Sequence, residues 1–427
     1  MTLDGDPARL PWTGGFRSFP SQPLLWGSCV HRAPVRAVNI VDLVVLALVA
    51  LAAIQGLRLG AVVQVLSFGG FWIGLYLGAL LASVTVGWVH TQSARTAVAL
   101  VTMLGVATLC GVAGRVVGNV AFRKVHRGVL GSIDSALGVV VAVVASLLVA
   151  WLLANTLVNS SSLSLNASIA RSKIIRSLDG VLPAPPSVFS RVQGFLSSEG
   201  FPPVFAQLAP ASAGPVSLPG NAQLQAAVAH AGLSTVKIIG DGCGQIQEGS
   251  GFVVGPGVVV TNAHVVAGIP HPTVADGSGL HDTTVLLFDP TYDLAVMRVS
   301  GLTEPPLSLD PQNVDRGTEA AVLGYPGGGV FTAKPAGVMA EFQAEGRDIY
   351  GQGLTVRDVY EIQAVVRPGN SGGPLVEPGG QVIGVVFSRS TTNGDIGYAL
   401  TSPGVLSRVT RAVSVSNQVG TGTCTPG

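Results

Sequence analysis

Charge is scarce along this chain. Of its 427 residues only 11% are Asp, Glu, Lys or Arg, less than half the roughly 25% of an average soluble domain. The 24 basic and 23 acidic residues leave a formal net charge of +1, so no basic surface for nucleic acid or another polyanion is implied. Cysteine is rarer still, with four residues, too few and too widely spaced to hold a metal. No metal and no cofactor is expected. Residues 1–36 are rich in Pro, Gly and Arg and lack an apolar run long enough for a signal peptide. They are expected to form a disordered tail. What the chain has in abundance is hydrophobicity, 48% of its residues, concentrated between positions 39 and 154.

Four apolar segments stand out there: Asn39–Leu57, Leu59–Val86, Thr96–Val120 and Val129–Leu153. Each reaches the roughly 20 residues that cross a bilayer as a helix, and none has the polar face of a soluble core helix. Gly70, Gly74 and Gly78, and then Gly114 and Gly118, recur every fourth residue. That spacing lines one helix face with small residues where a neighbouring helix can approach. Arg115 lies deepest of the charged residues and is expected to pair with Asp134 or Asp42. Arg58 separates the first two segments, and Arg123, Lys124 and Arg127 separate the last two. By the positive-inside rule these loops face the cytoplasm, which leaves both chain ends outside.

From Asn155 to about Asn221 the apolar pattern gives way to Ser, Asn and Pro clusters such as Pro183-Ala184-Pro185-Pro186. This stretch is expected to be a linker open to proteolysis, with a short helix over Ser190–Leu196. Beyond it, Val- and Ile-rich runs alternate with Gly and Pro turns: Thr235–Ile239, Gly251–Val254, Val258–Thr261, Thr284–Phe288, Leu294–Val299, Ala320–Leu323, Tyr360–Val365 and Gln381–Phe387. Such spacing, without long helical stretches, predicts an all-β barrel or sandwich.

The chemistry is concentrated in the β half. Gly369-Asn370-Ser371-Gly372-Gly373-Pro374 places a serine on a glycine-rich turn whose backbone N–H groups can face an incoming carbonyl. A serine hydroxyl needs a base to take its proton and donors to hold the oxyanion. Of the histidines in this half, His230, His264, His271 and His281, only His264 directly follows an apolar strand, in Val260-Thr261-Asn262-Ala263-His264. His271 and His281 lie in Pro/Gly-rich loops and are expected to be solvated. Asp293 is the last polar residue before the apolar run Leu294-Ala295-Val296, which suits a buried carboxylate. The competing Asp289 precedes Pro290 and reads as a turn residue.

The order His264, Asp293, Ser371, in the contexts Thr-Asn-Ala-His, Tyr-Asp-Leu-Ala-Val and Gly-Asn-Ser-Gly-Gly-Pro, resembles the chymotrypsin-fold serine proteases in their HtrA-like branch. The resemblance covers residues 223–412. With four spans similar to the colicin V production protein family ahead of it, the chain from 37 to 427 resembles the MarP-type membrane-anchored periplasmic proteases. This resemblance implies a four-helix transmembrane domain followed by an all-β chymotrypsin-like double β-barrel. His264 would be the base, Asp293 its orienting acid and Ser371 the nucleophile, with the N–H groups of Gly369 and Ser371 as oxyanion hole. The expected activity is a serine endopeptidase acting through an acyl-enzyme on periplasmic or cell-wall proteins in acid or oxidative stress. It would sit in the inner membrane with the protease outside the cytoplasm.

Two departures from the digestive enzymes matter. Asn370 stands where they carry an Asp that pairs with a newly cut N-terminus, so no activation switch of that kind is expected. Val365 stands where a trypsin-like enzyme has Asp, which argues against Lys or Arg at P1. Phe387 and Ser388 are expected to line the pocket with it. Cys243 and Cys424, in an oxidising compartment, are expected to form a disulfide. The domains are then 1–36 (tail), 37–155 (membrane), 156–222 (linker) and 223–427 (protease). Protein substrates and the bilayer are the expected partners, with self-cleavage in the linker. The alternatives are a catalytically silent binding module, or a channel or transporter regulated by the protease fold.

Overall fold

The computed structural model describes residues 39–85, 92–125, 130–158, 162–186, 204–415 and 417–425. The tail 1–36, Arg127 and the helix expected over Ser190–Leu196 lie outside them. Three helices dominate the first half: α1 (Ile40–Thr85), α2 (Gln92–Val125) and α3 (Leu130–Leu157). Their cores Ile40–Ala82, Ala97–Ala121 and Ile133–Leu157 are long and apolar enough to cross a membrane.

Helix α1 is not one rod. At Gly60 the backbone takes φ 73° and ψ 167°, a region that glycine alone enters without strain. Before the break Val45 packs with Ala154 and Val158, and Gly56 faces the backbone of Gly138. After it Val62 N donates to Asp134 Oδ1 at 3.2 Å, and Leu75 and Ala79 pack with Trp151 and Leu152. Both ends of α1 therefore meet the same end of α3, and the chain reverses at Gly60. The glycines spaced by four do what their spacing predicts. A Cβ on Gly70, Gly74 or Gly78 would overlap α2 at Cys110, Ala107 and Met103, and one on Gly114 or Gly118 would overlap Leu66 and Val63. Arg115 differs from expectation. It is exposed on α2 and pairs with neither carboxylate, because each has been drawn to backbone N–H groups left open at a helix start. Asp134 serves Val62, and Asp42 accepts from Ser172 Oγ at 2.5 Å and from Lys173 N and Ile174 N at 3.2 Å.

Two short helices, α4 (Leu163–Ala170) and α5 (Lys173–Asp179), cap this bundle. Asp179 is the hub, accepting from Trp151 Nε1 at 3.0 Å, Asn155 Nδ2 at 3.1 Å and Leu208 N at 3.0 Å. On the other side Asn166 Nδ2 of α4 donates to Thr391 O at 2.8 Å, and Arg347 Nη2 donates to Pro185 O. Residues 204–220 follow as an extended strap over the β half. Ala206 N bonds Glu345 O at 3.0 Å, Ala213 N bonds Glu361 Oε2 at 3.1 Å and Val216 N bonds Gln363 Oε1 at 2.8 Å. Phe205 stacks on Phe342 and meets Tyr398 edge-on, with centroids 5.7 and 5.6 Å apart. Composition made this stretch look like open linker; its hydrogen bonds tie it down. The strap ends in α6 (Asn221–Ala231), which leads into the first strand.

The strands are β1 (Thr235–Gly242), β2 (Gln245–Gly255), β3 (Val258–Thr261), β4 (Thr273–Ala275), β5 (Leu280–Asp289), β6 (Leu294–Val299), β7 (Glu319–Gly324), β8 (Thr332–Arg347), β9 (Leu354–Gln363), β10 (Pro374–Val376), β11 (Val382–Arg389) and β12 (Ile396–Thr401). The first six close in the order β1-β2-β3-β6-β5-β4 and the last six in the order β10-β11-β12-β9-β8-β7, each neighbour antiparallel. Each closed sheet has its own core, Val236, Ile238, Val259 and Met297 in one, Val322, Ile362, Leu375 and Val386 in the other. A third cluster joins them: Phe252, Val260 and Leu294 from the first half meet Leu323, Phe387 and Leu400 from the second. This is why β3, β6 and β12 read as almost continuous apolar runs rather than alternating ones. A one-turn helix, α7 (Ala263–Val266), follows β3, and α8 (Ser402–Val413) follows β12. Thr401 Oγ1 caps α8 by accepting from Gly404 N at 3.2 Å, and its Val405, Val409 and Ala412 face closes the joint cluster.

Candidate active site

Strand β3 ends at Thr261, and the turn α7 lifts His264 to the rim of the first closed sheet. The hairpin before β6 brings Asp293 to the same place. Asp293 takes φ 62°, which an Asp tolerates better than most residues. Asp289 makes that turn by accepting from Thr291 N at 3.0 Å and Tyr292 N at 2.9 Å, and it pairs with Arg408 at 3.1 Å. It is occupied there, as its position before Pro290 suggested. Asp293 Oδ2 lies 2.8 Å from His264 Nδ1, and Oδ1 accepts from His264 N at 2.9 Å. Its carboxylate is fully buried while the imidazole keeps 9% exposure, so the free Nε2 edge is the one that reaches outward. Burial pushes the Asp293 carboxyl up, but the His264 ring, its hydrogen bonds and the Arg357 guanidinium outweigh that and hold it below the usual carboxylate range. Of the other histidines, His271 is exposed. His281 is not solvated as expected: it pairs with Asp276 at 2.9 Å and its side chain is 14% exposed, because β5 begins one residue earlier and carries it onto the sheet.

Ser371 comes from the loop before β10, in the second half. Its turn can be followed one peptide at a time, since trans peptides point C=O and N–H to opposite sides, and no peptide bond here is cis. Pro368 O accepts from Gly327 N at 2.6 Å, so Gly369 N faces the other way. Gly369 O accepts from Ser250 Oγ at 2.6 Å, while Asn370 N donates to Arg367 O at 3.0 Å. Asn370 O accepts from Gly373 N at 3.0 Å, so Ser371 N is turned outward. Among the described residues neither Gly369 N nor Ser371 N has a hydrogen-bond acceptor. Two unpaired N–H groups beside a hydroxyl form a receptor for a developing oxyanion. No hydrogen bond joins Ser371 Oγ to His264 Nε2 among the described residues; such contacts commonly tighten only when substrate binds.

The sequence matches two families, colicin V production protein over residues 41–183 and trypsin-like peptidase domain over residues 249–385. Serine protease Rv3671c of Mycobacterium tuberculosis is 37% identical over 389 residues, which cover 90% of this chain and 98% of that one. The chain belongs to the MarP-type family of serine proteases. A probable periplasmic serine endoprotease, DegP-like, of Chlamydia pneumoniae is 38% identical over 162 residues, 36% of this chain and 32% of that one. The crystal structure of the Rv3671c protease in its active form is 40% identical, covers 51% of this chain and 96% of that chain, and superposes with a TM-score of 0.49.

Three residues of this MarP-type protease escaped sequence reasoning. Ser250 and Gly327 brace the Ser371 turn from outside it, and Arg357 lies behind Asp293. Arg357 is 1% exposed. Its Nε donates to Thr291 O at 3.0 Å and its Nη2 to Arg347 O at 2.8 Å, and it forms no ion pair among the described residues. A buried cation without a carboxylate in contact is costly; here it balances the buried charge of Asp293. The only local clue to Ser250 was its setting between Gly249 and Gly251 on a strand, which signals a close approach of other backbone. The pocket candidates separate: Val365 is 41% exposed at the surface, whereas Phe387 and Ser388 are 1% and 2% exposed, Phe387 with its ring in the cluster joining the two sheets. Cys243 and Cys424 form a disulfide, with Cα atoms 5.7 Å apart.

Proposed function

We propose that this protease is a membrane-anchored endopeptidase working through a His264–Asp293–Ser371 triad on a chymotrypsin-like double barrel. His264 Nε2 takes the proton of Ser371 Oγ as that oxygen attacks a peptide carbonyl. The resulting oxyanion sits against Gly369 N–H and Ser371 N–H. His264 then gives the proton to the leaving amine, and water, activated by the same nitrogen, hydrolyses the acyl-enzyme. Asp293 fixes the tautomer that leaves Nε2 free and stabilises the imidazolium. The observation that carries this reading is the 2.8 Å contact of His264 Nδ1 with a fully buried carboxylate, together with two open N–H groups at the nucleophile turn.

Around this core we place a domain of four spans within 37–155, counting α1 as two because the chain reverses at Gly60 and each limb has roughly the 20 residues a span needs. The protease domain, 223–427, lies on the periplasmic side of the inner membrane, and residues 156–222 join the two, with self-cleavage falling ahead of the bonded strap that starts at Val204. Substrates are periplasmic or cell-wall proteins, cut under acid or oxidative stress, with Lys or Arg at P1 disfavoured by Val365 in place of an acid. The test is labelling of full-length protein with a fluorophosphonate probe. Labelling in the wild type that disappears in Ser371→Ala supports the triad. Equal labelling of both proteins refutes it.

A further inference from the structure

Asn370 leaves a question open. Its side chain is 1% exposed and its Oδ1 has no hydrogen-bond partner, so no ion pair holds the nucleophile turn. Gly369, at φ 93°, offers no steric barrier to a rotation that would carry its N–H away from the oxyanion position. Something outside the turn must hold the carbonyls on both sides of Gly369.

We infer that Ser250 is the positioning residue that sets the oxyanion hole. Its hydroxyl has one proton and two lone pairs. The proton goes to Gly369 O at 2.6 Å, and a lone pair accepts Tyr325 N at 2.9 Å. Tyr325 opens the short turn Pro326–Gly328, whose Gly327 N holds Pro368 O at 2.6 Å. One hydroxyl thus grips one flanking carbonyl directly and tethers the loop that grips the other. The same turn is held from its far side, where Lys237 Nζ donates to Gly328 O and pairs with Glu248 at 2.7 Å. The Ser250 backbone completes the link. Its N–H donates to Ser371 O at 2.9 Å, and its carbonyl accepts Thr261 Oγ1 at 2.8 Å, three residues before His264. Ser250 is fully buried on β2, so the half that carries the base fixes the donors in the half that carries the nucleophile.

This inference rests on the triad reading above, and the experiment separates the two. Ser250→Ala keeps the strand and the backbone links and removes only the hydroxyl. Full-length enzyme, quantified by active-site titration, is assayed on a peptide substrate and with a peptide trifluoromethyl ketone, whose tetrahedral adduct uses the oxyanion hole. The expected result is a kcat lowered about 10- to 100-fold, somewhat less than for loss of a direct donor, with KM unchanged and ketone affinity lowered by the same factor. Ser250→Cys, which keeps a weak donor, falls between and serves in place of Ser250→Ala if that variant does not fold. A merely structural role would lower the melting temperature and leave kcat per titrated site and ketone affinity intact, and that result overturns the inference. Labelling that persists in Ser371→Ala would instead refute the triad itself.

Discussion

Breaking the Cys243–Cys424 bridge offers the sharpest test of how the end of the chain supports His264, the proposed base. The bridge closes a loop of 181 residues, and the chain-entropy relation gives about 5 kcal/mol for that length, as an upper figure. For a domain of this size that corresponds to a fall in melting temperature of at most about 10–20 °C. The tail is not held by sulfur alone. Gly268 N donates to Thr421 O at 3.0 Å, Val419 N to Val285 O at 2.9 Å, Thr421 Oγ1 to Ile269 O at 2.8 Å and Thr423 N to Tyr350 Oη at 3.2 Å. Each contributes about 1 kcal/mol at most, and each depends on the bridge to keep the tail in place. Residues 267–269 come directly after α7, so the tail braces the turn that carries His264. In Cys243→Ser with Cys424→Ser, hydrogen exchange should speed up first in residues 417–425 and 263–269, melting should drop by the amount above, and kcat should fall. Unchanged melting, exchange and kcat in the double variant would refute the reasoning.

Arg357→Gln removes the cation behind Asp293. The Asp293 carboxyl lies below its usual range in the folded protein, so the stability it contributes is fully present above the unfolded value of about 3.9 and is lost as pH falls through the lower folded value. Without Arg357 that folded value rises, so acid unfolding should begin at a higher pH in Arg357→Gln than in the wild type, while Arg357→Lys should leave the transition in place; an unmoved acid transition in Arg357→Gln would exclude the electrostatic role. Asp179→Ala removes the acceptor shared by Trp151, Asn155 and Leu208. It should expose residues 204–208 to limited proteolysis while the melting of the β half stays within about 0.5 kcal/mol in stability, and equal protection of 204–208 in both proteins would count against that hub.

The three residues of the proposed triad stand out in the sequence because each carries its own local signal. His264 ends an apolar strand, Asp293 begins one, and Ser371 sits among glycines. Six of the eight expected strand runs fall within observed strands, and Tyr360–Val365 and Gln381–Phe387 overrun theirs by two residues and one, since Val/Ile-rich segments bounded by Gly and Pro declare themselves. Strand β8 did not, because Thr332–Arg347 mixes Pro335, Gly337 and five charged or amide residues with its apolar ones, having one face toward solvent. Helix α8 was overlooked because its stripe of Val405, Val409 and Ala412 is short and begins with Pro403-Gly404. Ser250, Gly327 and Arg357 were beyond reach for a different reason. They act on residues 119, 41 and 66 positions away, Gly369, Pro368 and Thr291, and no periodicity records such a partner. The break at Gly60 was visible only as the gap between two apolar runs, while its sharpness comes from a backbone geometry that composition does not encode.

The strap of residues 204–220 has a consequence for any event that severs the chain ahead of it. A cut before Val204 leaves the strap bonded to the second closed sheet, so the severed protease keeps its outer covering intact. It also leaves Leu208 N on Asp179, Gln207 Nε2 on Asp179 O and Leu182 O, and Asn166 on Thr391 O. Nicking and shedding are therefore separate events. The cut enzyme stays docked on the helical half through a handful of reversible hydrogen bonds. Its departure is governed by a dissociation equilibrium rather than by the cleavage itself.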